Sequence, residues 1–174
     1  VSDALERARP LRLMAFDVDG VLTDGVLYYT HEGTELKAFH TLDGLGLKLL
    51  AHAGVELALI SGRRSNAVAA RAANLGIARL FQGVEDKLAV FERVRGELRL
   101  DARACGFMGD DLPDLPVLTR CGFAATVPDA PEAVRSRAHY VSRTPGGRGA
   151  AREVCDLILR AQGAFDAAIA RYLG

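Results

Sequence analysis

Leu11-Arg12-Leu13-Met14-Ala15-Phe16-Asp17-Val18-Asp19-Gly20-Val21-Leu22-Thr23 is the stretch on which the fold turns. Leu11 to Phe16 has the length and apolar character of a buried strand, and it stops abruptly at two aspartates and a glycine. Carboxylates therefore stand at the strand's C-terminal end. The arrangement recurs: Val55 to Ile60 runs into Ser61-Gly62-Arg63, and Ala104 to Met108 runs into Gly109-Asp110-Asp111. Helix-like patterns cover Leu45 to Ala53, Asn66 to Leu75 between Ser65 and Gly76, and Lys87 to Val94. Shorter strands are expected at Arg79 to Phe81, Phe123 to Thr126 and Tyr140 to Ser142. Further helices are expected near Asp114 to Thr119, Pro131 to Ser136 and Ala150 to Gln162. Strands alternating with helices predict an α/β domain with a mainly parallel sheet. Right-handed crossovers then bring the C-terminal strand ends, with Asp17, Ser61 and Asp110, to one ligand-binding rim.

One segment breaks the alternation. Val26 to Tyr29 and Thr34 to Phe39 read as two strands around His31-Glu32-Gly33, a hairpin too small to be a domain of its own. No internal repeat or low-complexity stretch marks a boundary, so residues 1–174 are expected to form a single domain.

The composition narrows the function classes. With 174 residues, 49% hydrophobic and 25% charged, the chain is an ordinary globular domain able to bury a core. Twenty-two Lys+Arg balance twenty-two Asp+Glu, leaving no overall basic field for nucleic acid or an anionic membrane. Three cysteines, Cys105, Cys121 and Cys155, lack the spacing of a zinc site or a disulfide framework. Val1 to Pro10 has no apolar signal core and no stretch reaches spanning length, so a reducing cytoplasm is expected. Only Lys37, Lys48 and Lys87 are lysines; every other basic residue is arginine.

The motifs supply the chemistry. Asp17 and Asp19, two apart at a strand end, aim to one side and repel unless a cation intervenes. Magnesium satisfies this by taking oxygens from Asp17, a main-chain carbonyl and the distant Asp110. Phosphoryl transfer through an aspartyl-phosphate then makes Asp17 the nucleophile. Asp19 protonates the leaving alkoxide and later deprotonates the attacking water. Ser61 offers a hydroxyl to phosphate oxygens, and Lys87 adds a compact charge. Singly, each element has an ordinary reading. Asp17 to Gly20 and Gly109 to Asp111 could be turns, Ser61 a helix cap, and Lys87 a solvated helix residue.

The ordered set D-x-D-G-V-L-T, S-G-R, an isolated lysine, and G-D-D-x-x-D resembles the four motifs of the haloacid dehalogenase-like phosphatase superfamily. The resemblance implies a Rossmann-like three-layer sandwich. It implies Asp17 as nucleophile, Asp19 as acid/base, and phosphate held by Ser61 and Lys87. Magnesium is implied at Asp17, Asp19 and Asp110, supported by Asp111 or Asp114. The hairpin is all that separates the first motif from the next helix, so the chain is capless.

Asp24 to Phe39, His40 to Gly46 and Gly146 to Glu153 resemble the branch of that superfamily acting on 3-deoxy-D-manno-octulosonate 8-phosphate, in lipopolysaccharide biosynthesis. That branch implies a homotetramer in which the 24–40 hairpins build an intersubunit barrel and the 145–174 segment covers an adjacent site. It implies substrate contacts from Asp19, His40, Thr41, Leu42, Asp43, Gly44, Arg63, Arg71 and Lys87. Locally, His40 and Asp43 could instead be a strand end and a helix N-cap, Arg71 and Arg63 solvated helix and loop residues, and Gly146 to Gly149 a linker. Three other activities stay open: a nonulosonate 9-phosphate phosphatase, a non-catalytic oligomerisation module of the kind fused to sugar-acid cytidylyltransferases, and a phosphoacceptor domain. The D-x-D spacing and the hairpin disfavour the last.

Overall fold

The computed structural model describes residues 2–173. Helix α1 (Ser2–Ala8) leads into β1 (Leu13–Phe16), then the hairpin strands β2 (Tyr28–Tyr29) and β3 (Glu35–Leu36), and α2 (Thr41–His52). The chain continues as β4 (Glu56–Ser61), α3 (Asn66–Leu75), β5 (Arg79–Gln82), α4 (Lys87–Glu97) and β6 (Cys105–Met108). It closes with α5 (Leu115–Leu118), β7 (Phe123–Thr126), α6 (Glu132–Arg135), β8 (Tyr140–Val141), α7 (Ala150–Ala161) and α8 (Phe165–Ala170). The six-stranded sheet runs β5-β4-β1-β6-β7-β8 with every pairing parallel, and helices on both faces complete a three-layer α/β sandwich. The hairpin is a separate two-stranded antiparallel piece.

Strands buried on both faces read as unbroken apolar runs, and β1, β6 and β7 are buried at every position. Phe16, Phe91, Phe107 and Phe123 fill the centre of the core. Phe91 and Phe107 meet edge to face, with ring centroids 6.2 Å apart. All three cysteines are buried free thiols. Among the described residues no helix is long and apolar enough to cross a membrane.

Three departures from the sequence reading have physical causes. Helix α2 starts at Thr41, not Leu45, because His40 caps it: its Nδ1 accepts from the Leu42 N–H at 3.2 Å. Gly44 and Gly46 hide this start, since glycine disfavours helices, yet both sit inside one. The reason for Gly46 is close packing, as a Cβ there would lie 2.8 Å from Arg152 Cδ on α7. Helices α1 and α8 escape the sequence pattern; the buried face of α1 is only Ala4 and Ala8, too small to give a periodic signal. The hairpin ladder is shorter than expected, two residues per strand.

Two carboxylates stitch α7 to the rest. Asp43, buried in the first turn of α2, accepts from the Gly149 N–H at 3.2 Å and the Arg152 N–H at 2.9 Å, and so caps α7 from another helix. Burial raises its pKa, and these backbone donors oppose the rise. Glu153 of α7 accepts from the Tyr140 hydroxyl at 2.6 Å, from the backbone N–H groups of Arg143 and Thr144, and from the Thr144 hydroxyl at 2.7 Å. That fixes the connection leaving β8.

Candidate active site

Because β1, β4 and β6 are parallel neighbours that stop at Phe16, Ser61 and Met108, the residues at their ends share one rim. The Asp17 N–H donates to the Met108 carbonyl at 2.8 Å, prolonging the ladder by one residue. Asp17 and Ser61 are buried. Lys87 opens α4 directly behind its N-cap Asp86, so the turn of the helix delivers its side chain to the same rim. A cleft of about 390 Å³ is lined by Asp17, Asp19, Ser61, Arg63, Lys87 and Asp110.

Lys87 Nζ lies 2.9 Å from Asp17 Oδ1 and 2.6 Å from Asp114 Oδ1. The other Asp114 oxygen accepts from the backbone N–H groups of Asp110 at 3.0 Å and Asp111 at 3.2 Å. Asp114 thereby shapes the loop that presents Asp110. Asp111 caps the following turn, its Oδ1 accepting from the Leu112 N–H at 2.7 Å. Ser61 Oγ accepts from the Arg63 N–H at 3.2 Å, which fixes the hydroxyl's position. Gly20, at φ +87°, lets the backbone pass where a Cβ would lie 2.0 Å from Asp110 Oδ2.

Asp17, Asp110 and Asp114 each offer an oxygen within 4.8 Å of the others. Burial, then the Asp114 charge, pushes Asp17 up to about 6 against the opposing pull of Lys87. Burial, then the charges of Asp17 and Asp114, pushes Asp110 up to about 8. One ammonium cannot neutralise three converging carboxylates. A hard divalent cation with oxygen ligands fits this donor set. The Asp19 side chain is elsewhere, drawn to Lys37 of the hairpin. The carboxylates that converge are therefore Asp17, Asp110 and Asp114, rather than Asp17, Asp19 and Asp110.

No protein-family model matches the chain. The curated 3-deoxy-D-manno-octulosonate 8-phosphate phosphatase of Escherichia coli strain K12 is 44% identical over 167 residues, 96% of this chain and 89% of the relative. A crystal structure of the same phosphatase from Moraxella catarrhalis, in complex with magnesium ion, phosphate ion and KDO, is 44% identical. It covers 99% of each chain with a TM-score of 0.97. The chain belongs to the 3-deoxy-D-manno-octulosonate 8-phosphate phosphatase family of the haloacid dehalogenase-like superfamily. A probable YrbI family phosphatase from Pseudomonas syringae is 50% identical, with a TM-score of 0.98, 100% of this chain covered and 99% of the other.

For a chain of the 3-deoxy-D-manno-octulosonate 8-phosphate phosphatase family, the remaining expected contacts divide by location. Arg63 lines the acidic cleft, while its guanidinium bonds Glu35 and, at 3.0 Å, the Tyr29 hydroxyl. Arg71 lies apart from the cleft, donating to the His40 carbonyl at 3.2 Å and lying 5.9 Å from the Phe39 ring centroid. His40 and Asp43 hold helix starts, and Thr41 and Leu42 are exposed. Gly44 packs against Arg71, where a Cβ would lie 2.3 Å from Nη2. None of His40 to Gly44 lines this chain's own cleft. Lys37 was missed by the sequence reading. Its side chain is 3% exposed and also lies 3.2 Å from Glu35 Oε1. The signal was there: the scarcity of lysine that singles out Lys87 applies equally to Lys37.

Proposed function

We propose that this chain hydrolyses 3-deoxy-D-manno-octulosonate 8-phosphate to the free sugar acid and inorganic phosphate. The observation that carries the reading is the convergence of Asp17, Asp110 and Asp114 with Lys87 in one cleft, in a chain of this family. Asp17 attacks phosphorus in line as the bond to the sugar oxygen breaks, giving an aspartyl-phosphate. Asp19 gives its proton to the departing oxygen. It then takes one from the water that attacks the aspartyl-phosphate, releasing phosphate and restoring Asp17. The Lys87 ammonium, held by Asp17 and Asp114, and the Ser61 hydroxyl hold phosphate oxygens. Magnesium, with Asp17 and Asp110 as its carboxylate ligands, supplies positive charge to the transferring phosphoryl group. Asp114 supports from behind, through Lys87 and the Asp110 N–H.

A homotetramer and a single domain with the 24–40 hairpin as its insertion belong to the same reading. Val26, Leu27, Tyr28, Tyr29 and Leu36 are large apolar residues left exposed on the hairpin, which supports its pairing with hairpins of other subunits. His40 to Gly44 and Arg71 face away from this chain's cleft, which supports their serving a neighbour's substrate. The 145–174 segment would close over an adjacent site, anchored where the Gly147 N–H donates to the Val21 carbonyl at 2.9 Å.

The test is phosphate release across a panel of sugar phosphates, nonulosonate 9-phosphates included, with magnesium and after chelation. Preference for 3-deoxy-D-manno-octulosonate 8-phosphate and loss on chelation, restored by magnesium, are expected. Asp17→Asn should lower turnover at least about 10³-fold with the fold intact by circular dichroism. Near-wild-type turnover in that variant overturns Asp17 as nucleophile.

A further inference from the structure

We infer that Lys37, carried on the hairpin, is a positioning residue for Asp19, pinning one carboxylate oxygen so that the other carries the proton. This rests on the proposed reading of Asp19 as acid/base.

The hairpin is the most exposed part of the chain, yet Lys37 at its base keeps only 3% of its side chain exposed. Burying an ammonium costs several kcal/mol unless carboxylates meet it. Two do: Asp19 through Oδ1, and Glu35 at 3.2 Å. Glu35 is in turn bonded by Arg63, so Asp19, Glu35, Lys37 and Arg63 form a set with two charges of each sign. A hairpin that needed only to be tethered would be served by an apolar side chain, without the desolvation of four charged groups.

The contact to Asp19 is made at Oδ1 alone, and among the described residues no hydrogen bond occupies its Oδ2. Asp19 lines the same cleft as Lys87, whose charge would otherwise compete for it. Lys37 holds Asp19 apart from the Asp17–Lys87–Asp114 group. One oxygen is fixed, and the other is left to face the cleft where the leaving oxygen and the attacking water exchange protons. A compact ammonium suits this single-oxygen grip, whereas a guanidinium favours the two-oxygen fork.

The test measures kcat/KM for phosphate esters running from p-nitrophenyl phosphate, whose leaving group needs no proton, to a simple alkyl phosphate, which does. kcat/KM reports only the steps through leaving-group departure, and neither ester carries a sugar acid. For Lys37→Met we expect the loss on the alkyl ester to exceed that on the aryl ester by at least about 10-fold, within the 10²–10⁴ that general acid catalysis supplies. Lys37→Arg, which keeps the charge and changes its reach, should fall between Lys37→Met and wild type. Equal losses on the two esters, or none, overturn the proposal. Thermal melts establish that each variant is folded. If Lys37→Met does not fold, the ester dependence of Lys37→Arg decides, and its absence overturns the proposal. Asp19→Asn is measured alongside. If it shows no ester dependence, the reading of Asp19 fails; if it does and Lys37→Met does not, the failure belongs to Lys37 alone.

Discussion

Lys87 and Lys37 are both nearly removed from solvent, with 6% and 3% of their side chains exposed, and each stands between two carboxylates. Their settings differ. Lys87 starts an eleven-residue helix, and its partner Asp17 continues a strand buried at every position. Lys37 follows a two-residue strand whose apolar neighbours face outward. The first lysine is held by a framework that one chain completes, so its charge is a fixed part of the rim. The second hangs from a segment whose apolar face has no partner within the chain, which ties the order of its group to whatever covers the hairpin.

The largest effect is expected from Lys87→Met. Burial lowers the Lys87 pKa, but Asp17 and Asp114 outweigh it and the net shift is upward; removing the ammonium leaves both carboxylates facing each other. We expect turnover to fall at least about 10²-fold and stability to drop by about 3–5 kcal/mol, read by phosphate release and urea melts. Unchanged stability would break the contrast between a framework lysine and a hairpin lysine. Next comes deletion of residues 26–37, which removes the exposed apolar patch together with Lys37. Sedimentation should report a smaller oligomer and the phosphate assay a loss of more than about 10-fold, whereas a fully active monomer would sever the hairpin from the site.

Glu153→Ala sharpens the comparison from outside, since Glu153 is a half-buried carboxylate held by neutral donors and an exposed arginine instead of a lysine. A loss of about 1–3 kcal/mol with kcat little changed is expected from chemical melts. Burial raises the Glu153 pKa, but the Arg143, Tyr140 and Thr144 donors prevail and hold it below 4.5. Its contribution is therefore fully present above about pH 4.5 and lost as pH falls through the lower folded value. The smallest effect belongs to His139, whose Nδ1 accepts the Ala124 N–H at 2.8 Å. Burial, then Arg7, keeps its pKa below 6.5. Its contribution is present above that pH and lost as acid charges the ring, a fraction of a kcal/mol that His139→Gln should abolish in melts at pH 7 and 5.5.

Much of the rim was legible because its grammar is local. An apolar run, a polar stop and a glycine appear within a few residues at Asp17, Ser61 and Asp110, and Gly76 closes α3 in the left-handed conformation expected of it. What escaped depends on residues far apart in the chain. Asp43 caps a helix that begins more than a hundred positions later, so its local appearance as an N-cap of its own helix is misleading. Gly46 in α2 makes sense only beside Arg152. The Asp19 carboxylate turns from the metal cluster toward Lys37, a partner that only the folded hairpin supplies.

Strand β1 lies between β4 and β6, so its hydrogen-bonding partners come from residues 56–61 and 105–108. During synthesis the nucleophile's segment leaves the ribosome early and waits, bare-edged, for neighbours made much later. Nothing shorter than the chain through Asp114 contains the parts of a working centre. Premature termination before that point therefore yields fragments without hydrolytic capability, however faithfully their first motif is translated.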